Sequence, residues 1–169
     1  GEAVRRYINA EEIRTIGAEL EAYFELLPRL KLTTNVTRLN KTFAAVSDDF
    51  TGSVSGIEGT NFPNTPNFFV NNRIEYRCQG LFRDEDRLDF YVQHKFVDEF
   101  NFNFESAQLD KEAFFVPVQQ RFDAGFSYAP SKSFKAAFNA YNLSNAELFD
   151  NFRVPRPGRN YAIKLIYQL

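Results

Sequence analysis

Seven times along this chain, apolar and polar residues alternate one by one for about ten residues or more, and the last alternating run goes to the chain end. In Gly158–Leu169 the odd positions from Arg159 read Arg, Tyr, Ile, Leu, Tyr, Leu, and the even positions read Asn, Ala, Lys, Ile, Gln. Period-two alternation is the mark of a strand with two unlike faces. An uncapped apolar terminal strand is an aggregation-prone edge, whereas in a closed barrel it has a neighbour on both sides. The constraint therefore bears on the whole chain: it should supply a barrel or part of one.

The other runs follow the same rule. In 13–26, Ile16, Ala18, Leu20, Ala22 and Phe24 oppose Gly17, Glu19, Glu21, Tyr23 and Glu25. The part Ala18–Leu27 also carries helix formers, so a helix is the alternative there. After a turn at Leu27-Pro28-Arg29, the run 30–42 sets Leu30, Leu32, Thr34 and Val36 against Lys31, Thr33, Asn35 and Thr37, with Glu25 expected opposite Lys31. The runs 66–78, 88–98, 118–129 and 133–144 repeat the pattern, and 158–169 completes the set. His94 falls on an apolar face. Residues 1–12 show no period.

The connections alternate: tighter turns at 27–29, 79–87 and 130–132, longer loops at 43–65, 99–117 and 145–157. In an up-and-down meander, alternate connections share an end. One end then gathers the turns and the other the loops, which is the layout of an outer-membrane barrel with short periplasmic turns and long extracellular loops. Eleven residues at about 3.3 Å each, tilted by about 40°, rise about 28 Å, enough for an apolar band of about 25 Å. Glu19, Glu21, Glu25, Lys31, Arg73, Glu75, Arg77, Asp89, Lys95, Arg121, Asp123, Lys135 and Lys164 all fall on the polar face. Arg38, Asp98 and Arg159 depart from it near the loop ends of their runs. Tyr161 is expected near one membrane interface, and Tyr76, Tyr128, Phe134 and Tyr167 near the other. The expected fold is therefore all-β, an antiparallel transmembrane barrel segment of seven strands.

Composition narrows the chemistry. A formal charge of -2 over 169 residues argues against a nucleic-acid surface. The single cysteine, Cys78, excludes an internal disulfide and a Cys-based zinc cluster. No apolar run reaches the roughly 20 residues of a membrane-spanning helix, which leaves membrane strands open. The chain lacks methionine, so it is expected to be a mature product, a processed piece or an expressed fragment, with Gly1 a possible tag remnant.

The sequence also resembles a family. Tyr7-Ile8-Asn9-Ala10 with Arg14-Thr15-Ile16-Gly17-Ala18-Glu19-Leu20-Glu21 is similar to a late-barrel segment of TonB-dependent outer-membrane receptors. Pro63-Asn64-Thr65-Pro66 resembles the entry to the following strand. Asn142-Leu143-Ser144-Asn145, Leu148-Phe149-Asp150 and Pro155-Arg156-Pro157-Gly158-Arg159-Asn160-Tyr161 resemble the family's ending. The resemblance implies the last seven strands of a barrel of about 22 strands. The plug domain, the earlier strands and the energy-coupling segment would lie outside this chain. It implies a lipid bilayer around the barrel, an energy-coupling protein in the periplasm acting through the plug, and an extracellular small ligand such as an iron–siderophore complex, cobalamin or an oligosaccharide. It further implies an assembly signal at Tyr161, Tyr167 and Leu169, although many such barrels end in Phe and this one ends in Leu169.

No cofactor, metal site or catalytic centre is expected. His94 with Asp89 and Asp98 is read as packing before chemistry. Asp48, Asp49 and Glu58 fit no defined calcium loop. No serine has a nucleophile-elbow setting. Asn35-Val36-Thr37 and Asn142-Leu143-Ser144 match a glycosylation triplet, but both fall in expected strands. Ligand contacts belong to the loops 43–65, 99–117 and 145–157, with no individual residue assigned. Two other classes remain: a soluble all-β binding module with its apolar faces packed together, and an outer-membrane enzyme, which the absence of a Ser-His-Asp arrangement argues against.

Overall fold

The computed structural model describes residues 10–46, 57–102 and 114–168. Its main body is one antiparallel sheet of seven strands in sequence order. These are β1 (Ala10–Leu27), β2 (Leu30–Val46), β3 (Phe68–Gln79), β4 (Arg87–Val97), β7 (Gln119–Ser131), β8 (Phe134–Tyr141) and β9 (Asn160–Tyr167). A two-stranded ribbon, β5 (Phe100–Asn101) with β6 (Phe115–Val116), sits between β4 and β7 in the chain. β1 and β9 are the edges of the main sheet. The segment weighed as a helix, Ala18–Leu27, is strand throughout.

The period-two reading of faces holds across the sheet. One ladder runs Leu20, Val36, Val70, Phe96 and another Phe24, Leu32, Ile74, Val92, Ala124, Ala140, Tyr161. The expected pair Glu25 and Lys31 stand opposite each other. Pro28-Arg29 makes the first turn, with Arg29 at φ 75°, a left-handed position that costs a residue with a Cβ about 1–2 kcal/mol.

Several boundaries differ from the sequence reading, each for a local reason. The first hairpin runs past 42 to Val46, into the segment expected as loop. There Phe43 is buried against Phe62 at 5.1 Å between ring centroids. Residues 57–62 return along β2, where the Phe62 N–H donates to the Lys41 carbonyl at 2.7 Å and the Gly59 N–H to the Phe43 carbonyl at 2.8 Å. β3 starts at Phe68, two residues after Pro66, which has no N–H to offer a ladder. The third turn is at Lys132-Ser133, with a register shift after Tyr128 that takes up Pro130.

A further correction concerns β8, expected to run to Ser144, which stops at Tyr141. Asn142 is left-handed at φ 52°, and its side-chain amide closes on Ala146, accepting its N–H and donating to its carbonyl, both at 2.9 Å. An Asn that holds the backbone in this way ends a strand. The Asn142-Leu143-Ser144 triplet is thus the start of a turn. The Asn35-Val36-Thr37 triplet does lie within β2.

Several large apolar side chains are exposed at mid-strand, while a few polar ones are buried. At mid-strand on the apolar face, Leu20 is 62% exposed, Val92 52% and Ile163 76%. On the polar face Asp123 is 2% exposed and Ser127 9%. The buried apolar residues outside the strand centres, Phe43, Ile57, Phe100, Val116 and Leu148, gather at the loop end.

Candidate functional site

The polar face is where charged groups meet. Near the turns it forms a trough of about 720 Å³, walled by side chains such as Lys31, Arg73, Arg77, Asp89, Tyr91 and Lys135. Arg73 pairs with Glu75 at 2.9 Å, and its guanidinium lies 3.9 Å over the Tyr91 ring. Asp89 takes Arg77 at 2.7 Å and Arg87 at 3.0 Å. The Tyr91 hydroxyl donates to Asn139 Oδ1 at 2.8 Å, and Gln93 donates to Asn71 at 2.6 Å. Gly125 is required beneath this network, because a Cβ there would lie 2.6 Å from Tyr91 and 2.7 Å from Asn139. The trough can hold a polar partner through hydrogen bonds and ion pairs.

Toward the loops the same face carries Asp123, which accepts from Arg121 Nη2 at 2.7 Å and from the Asn142 N–H at 2.9 Å. Gln119 accepts the Phe149 N–H at 2.7 Å. Asn145 accepts the Arg159 N–H at 2.9 Å, and a Cβ on Gly158 would stand 2.7 Å from the same oxygen. Asp150 gathers the N–H groups of Phe152 and Val154. The residues that carry the resemblance at 142–160 therefore hold the connection between β8 and β9 in shape.

The longer loops do meet at one end. The Asn64 N–H donates to the Asn101 carbonyl at 2.9 Å, and the Asn151 amide reaches the Asn64 carbonyl at 3.5 Å. Phe102 and Phe114 pack at 5.8 Å, and Phe100 is buried. The described parts of loops 43–65, 99–117 and 145–157 thus build one surface. Asp48 and Asp49 lie outside the described residues; Glu58 is exposed.

Other candidates separate. His94 stacks on Phe122 at 4.6 Å on the apolar face, while Asp89 is held by arginines on the polar face. Asp98 accepts the Glu99 N–H at 3.0 Å. Cys78 is a half-buried free thiol. Among the described residues no group of three His, Cys, Asp or Glu is placed to hold a metal. Tyr161 and Tyr167 are exposed on the apolar face of β9, where Tyr161 stacks on Phe138 at 5.9 Å and Tyr167 faces Phe134. Leu169 lies outside the described residues.

Sequence reasoning missed Asp86. This buried turn residue takes the N–H groups of Leu81, Phe82 and Arg83 and the Tyr128 hydroxyl. Burial works against its charge, but the four donors outweigh it and hold the carboxyl below the usual carboxylate range. An Asp closing a Gly-started turn, Gly80 to Asp86, was the available signal. Compared with protein-family models and with curated proteins, the chain matches none.

Proposed function

We propose that this chain is a wall segment of an outer-membrane receptor of the TonB-dependent kind, contributing seven barrel strands and three extracellular loops to energised uptake of a scarce nutrient. One observation carries the reading: large apolar side chains such as Leu20, Val92 and Ile163 stand exposed at strand centres on one face, while Asp123 is buried on the other. Water would drive the opposite arrangement, since each fully exposed large apolar side chain forgoes about 1.5–3 kcal/mol of burial. A hydrocarbon surround removes that penalty, and a polar lumen accounts for the ion pairs. The gathering of longer loops at one end supports an outward-facing ligand surface. The edges β1 and β9 would be paired by further strands of the same barrel, and the trough would face a plug domain.

In this reading the segment positions and binds, and catalyses nothing. Ligand recognition falls to the loop end, and plug rearrangement driven from the periplasm releases the cargo. The test is solvent dependence. The purified chain should be folded and monodisperse in detergent micelles or lipid and aggregate on detergent removal, as followed by far-UV circular dichroism and light scattering. A monomeric folded chain in plain buffer would defeat the proposal and favour the soluble all-β module.

A further inference from the structure

The charges on the polar face obey one rule and break it once. Among the described residues, charged pairs directly opposite across neighbouring strands have unlike signs: Glu25 with Lys31, Lys31 with Glu75, Arg77 with Asp89. The exception is Lys95, opposite Arg121. Like charges in that position destabilise a sheet. A third cation adds to them, since Arg156 of the loop between β8 and β9 lines the same cavity of about 100 Å³, and its charge bears on the Lys95 ammonium.

Among the described residues one carboxylate, Asp123, acts on this group. It is already taken, with Arg121 Nε at 3.0 Å and Nη2 at 2.7 Å on one oxygen and the Asn142 N–H at 2.9 Å on the other. Three cations against one carboxylate leave a positive excess. The rest of the wall is Val97, Phe100, Leu148 and Phe149 with the polar Gln119 and Asn151, and Phe100 and Leu148 are buried. The apolar part of that wall lowers the local dielectric and strengthens both the repulsion among the cations and their attraction for an anion.

We propose that Lys95, Arg121 and Arg156 form a subsite for one oxyanion group of a small ligand whose adjoining part is apolar or aromatic. The inference rests on the receptor reading, in which this end faces outward. The cavity has room for one carboxylate or phosphate group, not for a whole nutrient, so it anchors one end of a larger molecule. Phe100 with Leu148, Phe149, Asn151 and Arg156 of the loop between β8 and β9 put its mouth at the loop end, where a free ligand arrives, and away from the turn-end trough.

The experiment titrates the full chain, folded in zwitterionic micelles at constant ionic strength, with phthalate, a small aromatic dicarboxylate. Its neutral diamide is the control, and calorimetry is the readout. Phthalate should bind saturably and the diamide should not. Lys95→Gln and Arg156→Gln should each weaken phthalate by about tenfold or more, and Lys132→Gln in the turn should leave it unchanged. Lys95→Gln also removes the like-charge opposition, so its unliganded thermal midpoint should rise while binding falls. An unchanged or lowered midpoint would assign Lys95 to structure and overturn the subsite. Equal binding by wild type and both variants, or none by the folded wild type, would overturn it too and leave the membrane reading standing. Binding by a chain that folds without detergent would keep the subsite and remove the receptor.

Discussion

The two faces of the sheet share one backbone and follow opposite rules. Leu20, Val92 and Ile163 stand exposed at the centre of their strands, while Asp123 and Ser127 are buried a single residue out of phase with them. Strand geometry makes the faces independent, because neighbouring side chains point opposite ways. What each face tolerates therefore reports the medium it meets. On the proposed receptor reading, the face that keeps Val, Ile and Leu uncovered meets a medium that does not reject them. A face that buries Asp123 must satisfy it, and does so with Arg121 and the Asn142 N–H.

The contrast can be broken most severely by placing charge on the apolar side. Val92→Arg should cost about 2–4 kcal/mol of folding stability in lipid, as for a charge at the bilayer midplane. Ser127→Arg on the other face is crowded but polar, so the denaturant midpoint in liposomes should fall less for it than for Val92→Arg. Equal losses would mean that both faces meet the same medium. Next in size, Gly125→Ala should cost about 1–3 kcal/mol, because the new methyl would meet Tyr91, Asn139 and the Phe138 carbonyl at 2.6–2.7 Å. Unfolding of that variant in micelles measures it, and an unchanged midpoint would show that the network yields freely.

A smaller effect is set by pH at the turn end. The folded Asp86 carboxyl titrates below its unfolded value, so its stabilisation is complete above the ordinary carboxylate range and disappears as pH falls through the depressed folded value. The midpoint of the wild type should drop on acidification more than that of Asp86→Asn, whose side chain does not titrate. Parallel curves would remove Asp86 as the cause. Smallest of all, Glu25→Gln at the exposed edge hairpin should change stability by at most about 0.5 kcal/mol despite its cross-strand partner Lys31.

Much of this architecture is legible in the alternation alone. The strands of the main sheet, their order, the two faces and the Glu25–Lys31 register follow from period two and a short turn at Pro28-Arg29. The departures fall where a side chain competes with the ladder. Asn142 ends β8 three residues early by bonding to Ala146, and Phe43 draws residues 57–62 back onto β2. In the candidate sites, the location of the longer loops at one end was readable, while the residues that build that end were not. Phe100 and Val116 are buried there through a ribbon of only two residues per strand, too short to leave a period.

Alternation along a strand is a local property, imposed by where successive side chains point. It established for this chain which residues share a face and which face could bear an apolar surround. What stands across the ladder is not local. Lys95 meets Arg121 and Arg156, and Gly125 lies under Tyr91 and Asn139, through register between segments far apart in the chain. Those pairings exist only once the loops have closed and the strands are in step: one carries the charge excess on which the proposed binding depends, the other the close approach beneath the turn-end network.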